Sequence, residues 1–162
     1  MNKRFLVGVL FVVSVVGFSL GATLPLVSLR LLEAGASSLR IGILSAMPAA
    51  GMMLSAFLVD ACCRHLTRRA IYLLSFSVCA LSVGLIEWAF SSLYLLAALR
   101  LALGIGMGVA IILGESWVNE LSEEHNRGKI MALYATAFTG CQMLGPATVS
   151  YTHLTLPTNR EV

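Results

Sequence analysis

Leu93-Tyr94-Leu95-Leu96-Ala97-Ala98-Leu99-Arg100-Leu101-Ala102-Leu103-Gly104-Ile105-Gly106-Met107-Gly108-Val109-Ala110-Ile111-Ile112-Leu113-Gly114 is an apolar run interrupted by a single charge. A helix crossing the hydrocarbon core of a bilayer needs about 20 mainly apolar residues, and this stretch meets that length. Four more stretches of the same kind lie around it, at 5–29, 41–61, 70–89 and 130–148. Short polar joints separate them. Together they fill almost the whole 162-residue chain, of which 58% is hydrophobic and 12% charged. Soluble domains carry roughly 25% charged residues, and a chain of this size has too little interior to hide so much apolar surface from water. The mean hydropathy of +0.88 agrees. The expected fold class is an all-α, multi-pass membrane protein with five transmembrane helices, whose first partner is the lipid bilayer.

The charged joints set an orientation. Lys3, Arg4, Arg64, Arg68, Arg69, Arg127 and Lys129 fall on one side of the five spans, and only Arg30 and Arg40 on the other. Cytoplasmic loops carry the Lys/Arg excess, so the N-terminus is expected inside. Lys3 and Arg4 ahead of an apolar run also open secretory signal peptides, but those have a shorter apolar core, and an uncleaved first span fits better. Trp117 and Tyr94, near opposite ends of the fourth span, suit interfacial belts.

Arg100 is the residue that least belongs in lipid. It lies about two turns, roughly 10 Å, inside the span. An arginine at such depth costs at least about 2.5 kcal/mol and is by default a functional-site candidate. Snorkelling to the headgroups is the competing account. At about 100° per residue, Arg100, Gly104, Gly108 and Glu115 share one stripe while Gly106 points elsewhere. Gly104-x-x-x-Gly108 allows a second helix to approach closely, which marks the stripe as facing protein or a wet cavity. Arg100 and Glu115 are therefore the candidate cavity residues, with an interfacial ion pair as the simpler account of Glu115. Asp60 is placed to pair with Arg64 one turn on. Gly and Pro recur inside the spans, among them Gly145 and Pro146, as helices packed around a polar path would have them.

Several chemistries lack support. Cys62, Cys63, Cys79 and Cys141 form no Cys-x-x-Cys pair and find no histidine at zinc spacing. His65 and His125 are isolated, which counts against a membrane enzyme. The glycines of the fourth span do not have dinucleotide-binding spacing. No cofactor, metal or nucleic-acid partner is expected. A polytopic membrane scaffold, a sensor subunit and a membrane enzyme are the alternative readings.

Three stretches together resemble the N-terminal half of a Major Facilitator Superfamily transporter. Arg100-x-x-x-Gly104-x-Gly106-x-Gly108 looks like that family's fourth-helix motif, Arg127-Gly128-Lys129 like its Arg-Gly-basic signature, and Leu144-Gly145-Pro146 like the Gly-Pro motif of its fifth helix. Gly114-Glu115-Ser116-Trp117-Val118-Asn119-Glu120 followed by Asn126-Arg127-Gly128 is closest to the YcaD-like bacterial group. The resemblance implies twelve helices in two halves, a central cavity lined by Arg100, and alternating access for a small organic solute or drug, with proton antiport as one option. It also implies a bacterial plasma membrane location. The joint between spans two and three departs from the pattern: in either register of Asp60 and Arg64 a family glycine is replaced, and only the basic pair Arg68-Arg69 is kept. Asp60, Arg64, Arg68, Arg69, Glu120 and Arg127 are the implied cytoplasmic gating residues, with Glu120 and Arg127 placed to pair with Arg68 or Arg69. The last stretch, 149–162, resembles the translation of a sequencing adapter and is expected to be non-native read-through. On that reading the chain is a partial N-terminal transporter domain, 1–148, whose remaining partner is the missing C-terminal half.

Overall fold

A computed structural model describes residues 3–155, with side chains described from 6 to 149. It is all-helical over the described residues: α1 (Lys3–Glu33), α2 (Ser38–His65), α3 (Arg68–Gly84), α4 (Ile86–Ala89), α5 (Leu93–Leu121) and α6 (Arg127–Thr155). Three stretches of these helices are each long and apolar enough to cross a membrane, Leu6–Glu33, Ser38–His65 and Leu93–Leu121. The other two expected spans correspond to α3 with α4, and to α6. The helices overrun the apolar runs at their ends, because a helix continues through polar residues until something stops it. Gly35 stops α1 in the left-handed region, with φ at 72°, a conformation that glycine adopts without cost. Thr67 starts α3: its Oγ accepts from the Ala70 N–H at 3.3 Å, a helix N-cap.

Two boundaries differ from the sequence expectation. The third span is divided by a turn at Leu85, whose N–H still bonds the Leu81 carbonyl at 2.9 Å. The fifth helix does not end at Thr148 but runs to Thr155. Nothing between these residues breaks a helix, and the next proline is Pro157. Residues 156–162 of the expected read-through tail lie outside the described residues.

The chain forms two units, one built from α1 and α6 and the other from α2 to α5. In the first, the helices touch through glycine. A Cβ on Gly17 would collide with the Phe138 carbonyl, one on Gly21 with that of Gln142, and one on Gly145 with the backbone of Gly21 and Ala22. Gly17 meets Phe138 and Gly21 meets Gln142 at the same sequence offset, so α1 and α6 run parallel.

In the second unit α5 is the central element. Its Leu96, Leu103, Met107, Ala110, Leu113 and Val118 are all buried. Towards α2, a Cβ on Gly104 would sit 2.8 Å from Pro48 Cα, one on Gly51 2.8 Å from the Ile105 nitrogen, and one on Gly108 2.8 Å from Ser55 Cβ. Ser55, fully buried, turns its hydroxyl onto its own helix, donating to the Met52 carbonyl at 2.6 Å. Towards α3, Gly106 abuts Cys79 Sγ and the Ser75 carbonyl. Val59, Ile71, Val109 and Leu113 form a small core between the three helices. Phe11, Phe57 and Met143 are largely exposed; large apolar side chains so placed suit lipid rather than water.

At the polar ends of α3 and α5, Tyr72 stacks on Trp117 with ring centroids 5.3 Å apart and 11° between planes. Beyond it, Arg68 grips Glu120 with both guanidinium arms, Nη1 to Oε2 at 2.5 Å and Nη2 to Oε1 at 2.8 Å. This two-point geometry is the strong form of an arginine–carboxylate bond. Glu120 lies past the apolar run that ends at Gly114, and the Arg68 hydrogen bonds hold its carboxyl below the usual carboxylate range.

Two outcomes follow for stability in lipid or detergent. Gly104→Ala places a methyl group against the Pro48 backbone and costs about 1–3 kcal/mol by forced repacking. Gly140→Ala, where a Cβ meets nothing within 4 Å, leaves the unfolding midpoint unchanged or raises it by the equivalent of up to about 1 kcal/mol; a loss equal to that at Gly104 would refute the close α2–α5 crossing. Because the folded carboxyl of Glu120 titrates below its unfolded value, the pair stabilises above the ordinary carboxylate range and its contribution is lost as pH falls through the folded value. The stability difference between the wild type and Glu120→Ala is therefore expected at neutral pH and low salt. It should vanish in acid and, because the pair is exposed, shrink at about 1 M salt.

Candidate functional site

Arg100 sits on the buried side of α5 and is 1% exposed. One turn before it lies Leu96 and one turn after it Gly104, both buried. Because Gly104 has no side chain, α5 lies directly on the Pro48 turn of α2, and this brings the Arg100 side chain to the turn before it. There its Nε donates to the Leu44 carbonyl oxygen at 2.8 Å. Leu44 is itself 1% exposed. A charge-assisted hydrogen bond of this length is strong. Inside a low-dielectric bundle it offsets part of the cost of keeping a guanidinium there. An arginine carries five N–H donors in a rigid fork. Nε uses one on the protein backbone, and the two Nη groups form the part of the fork suited to a carboxylate or another oxygen-rich group.

The expected stripe is realised in part. Arg100, Gly104 and Gly108 are buried together, but Glu115 is exposed. Fifteen residues separate Arg100 from Glu115, about 22 Å along the axis at 1.5 Å per residue, so the two do not share a site. Gly106, set aside from the stripe, is also buried, on the face that meets α3. The reason is that α5 is enclosed by neighbours on two sides, whereas an angular argument allows only one.

The other candidates fall in separate places. Gly145 is buried against α1, while Pro146 is exposed inside α6. Asp60, Arg64 and Arg69 are all exposed around the α2–α3 joint. Of the implied gating residues, Arg68 and Glu120 are brought together. Arg127, exposed, opens α6.

The partner of Arg100 is what sequence reasoning missed. It is a backbone atom, and a backbone acceptor has no residue type to announce it. A cleft of about 120 Å³ in the same unit, lined by Leu58, Ile71, Leu74, Val78, Ile105 and Val109 among others, is apolar and separate from the Arg100–Leu44 contact.

Comparison with known proteins agrees with this picture. The model of the Major Facilitator Superfamily matches residues 9–156. An uncharacterised MFS-type transporter of Bacillus subtilis (strain 168), YfkF, is 29% identical over 126 residues, covering 78% of this chain. The match takes in 32% of that relative, so the chain spans about a third of its length. No solved structure matches. Members of the superfamily are membrane transporters, and apolar helices of this length fit a lipid environment. With nearly its whole length inside the family model, the chain belongs to the Major Facilitator Superfamily.

Proposed function

We propose that this chain is the N-terminal part of a secondary transporter that moves a small organic solute or drug by alternating access, with Arg100 on the solute path. The observation that carries the reading is the guanidinium buried about two turns inside an apolar helix and held on a backbone carbonyl. A charge at that depth is costly and marks a pathway or binding site by default. In this reading α1, α2, α3 with α4, α5 and α6 are five spans of a six-helix half-bundle. The Lys/Arg asymmetry puts the N-terminus in the cytoplasm of a bacterial cell, and the remaining half of the transporter completes the cavity. The Gly114–Glu120 stretch supports kinship with the YcaD-like group. An arginine fork favours solutes bearing a carboxylate or a comparable acceptor. Proton exchange is the coupling that best suits the resemblance of Leu144-Gly145-Pro146 to the fifth-helix antiporter motif.

The Arg68–Glu120 pair and the Tyr72–Trp117 stack join α3 to α5 at the end that this orientation makes cytoplasmic. They hold the helices of this unit together as one body, which rocking transport requires.

In the complete protein, Arg100→Ala is expected to reduce solute flux in reconstituted vesicles to the level of empty vesicles while membrane insertion, measured by extraction and protease protection, stays normal. Unchanged flux would mean that Arg100 has no part in the path.

A further inference from the structure

In an α-helix each carbonyl accepts from the N–H four residues on. For Leu44 that donor belongs to position 48, which is proline and has no N–H. The helix nevertheless continues through Pro48 without a break, from Ser38 to His65. The Leu44 carbonyl is therefore an acceptor that its own helix leaves without its usual donor. Water is excluded, since Leu44 and Arg100 are both 1% exposed. In a bilayer such a carbonyl must find a partner from a neighbouring element, and here the Nε–H of Arg100 donates to it at 2.8 Å. Proline contributes a second time, because α5 rests on it: a Cβ on Gly104 would lie 2.8 Å from both the Pro48 Cα and its carbonyl carbon. The same residue thus vacates the acceptor and sets the height of the helix that carries the donor.

We propose that Pro48 is the positioning residue for Arg100. By withholding a backbone donor from Leu44, it creates the buried acceptor that fixes Nε, and a fixed Nε sets the plane of the rigid guanidinium and with it the direction of both Nη groups. Arg100 is then an anchored cation with a set direction rather than a mobile one. A lysine cannot replace it, because an ammonium lacks the fork that lets one side chain hold the carbonyl and present a second donor pair. The anchor stands on geometry alone; only its consequence for transport rests on the reading of Arg100 as a solute contact.

The proposal has a sign that an ordinary proline kink lacks. Arg100→Met strands the Leu44 carbonyl in the bundle. Pro48→Ala returns an N–H to position 48, so the carbonyl can pair within its own helix. The second substitution should therefore rescue the first. The experiment is a cycle of four proteins in lipid nanodiscs (wild type, Pro48→Ala, Arg100→Met and the double variant), read by thermal unfolding. The double variant is expected to unfold a few degrees above Arg100→Met, or to fold where Arg100→Met does not. A double variant at or below Arg100→Met overturns the anchor. A flux assay on the same four changes in the complete transporter separates the two claims. If stability returns without flux, both the anchor and the role of Arg100 on the path stand. If flux returns along with stability, the anchor stands and the solute-contact reading falls.

Discussion

A hydrogen bond between the Arg100 Nε and the Leu44 carbonyl joins the two helices on which the larger unit is built. Hydrocarbon offers no partner to a polar group, so every donor and acceptor at that depth must be met by protein. A lone guanidinium and a lone carbonyl would each be costly there, and the bond meets the carbonyl and one of the guanidinium's five donors. The pairing coincides with a close α2–α5 crossing. Gly51, Gly104 and Gly108 permit the approach, each standing where a Cβ would meet the opposing helix. Association of helices in lipid depends on close packing of this kind rather than on exclusion of water.

The unit formed by α1 and α6 uses the same device without a charge. Gly17, Gly21 and Gly145 bring two parallel helices into backbone contact, and Pro25 and Pro146 lie inside those helices. These glycines thus fall where the helices touch, while Phe11, Met143 and Pro146 are exposed. The polar ends follow different rules. Arg68 and Glu120 are exposed and pair by charge, so their bond responds to pH and salt in a way that the buried Arg100–Leu44 bond cannot.

Much of this was legible in the chain. Apolar run length located α1, α2, α5 and α6 and read α3 with α4 as one segment. The arginine stood out because a charge among leucines and glycines is costly at that depth, with snorkelling as the competing account. Helical angles grouped Arg100 with Gly104 and Gly108, but they also added Glu115, which is exposed. Angles say which side of a helix a residue takes and nothing about how far along it the neighbour extends. Gly106 was set aside for the complementary reason, since a helix enclosed on two sides has two buried faces. The turn at Leu85 leaves no clear mark in Gly84-Leu85-Ile86 beyond the glycine, and the extension of α6 to Thr155 went unread because 149–162 is expected as non-native read-through and so carries no fold reading. Pairing of Glu120 with the basic residues of the α2–α3 joint was anticipated, and Arg68 is the partner chosen. Leu44 was missed, although Pro48 four residues later was the available sign: a proline inside a span points to the carbonyl one turn earlier.

The account stands on where the guanidinium of Arg100 goes. Solid-state NMR in lipid bilayers, with ¹⁵N in the Arg100 side chain and ¹³C in the Leu44 carbonyl, measures this directly. The structure predicts a measurable through-space ¹⁵N–¹³C dipolar coupling across the hydrogen bond, with nitrogen and oxygen 2.8 Å apart, and no coupling to lipid phosphorus. Loss of the carbonyl coupling together with contact to headgroup ³¹P would show an arginine that snorkels to the surface, and the account would be wrong.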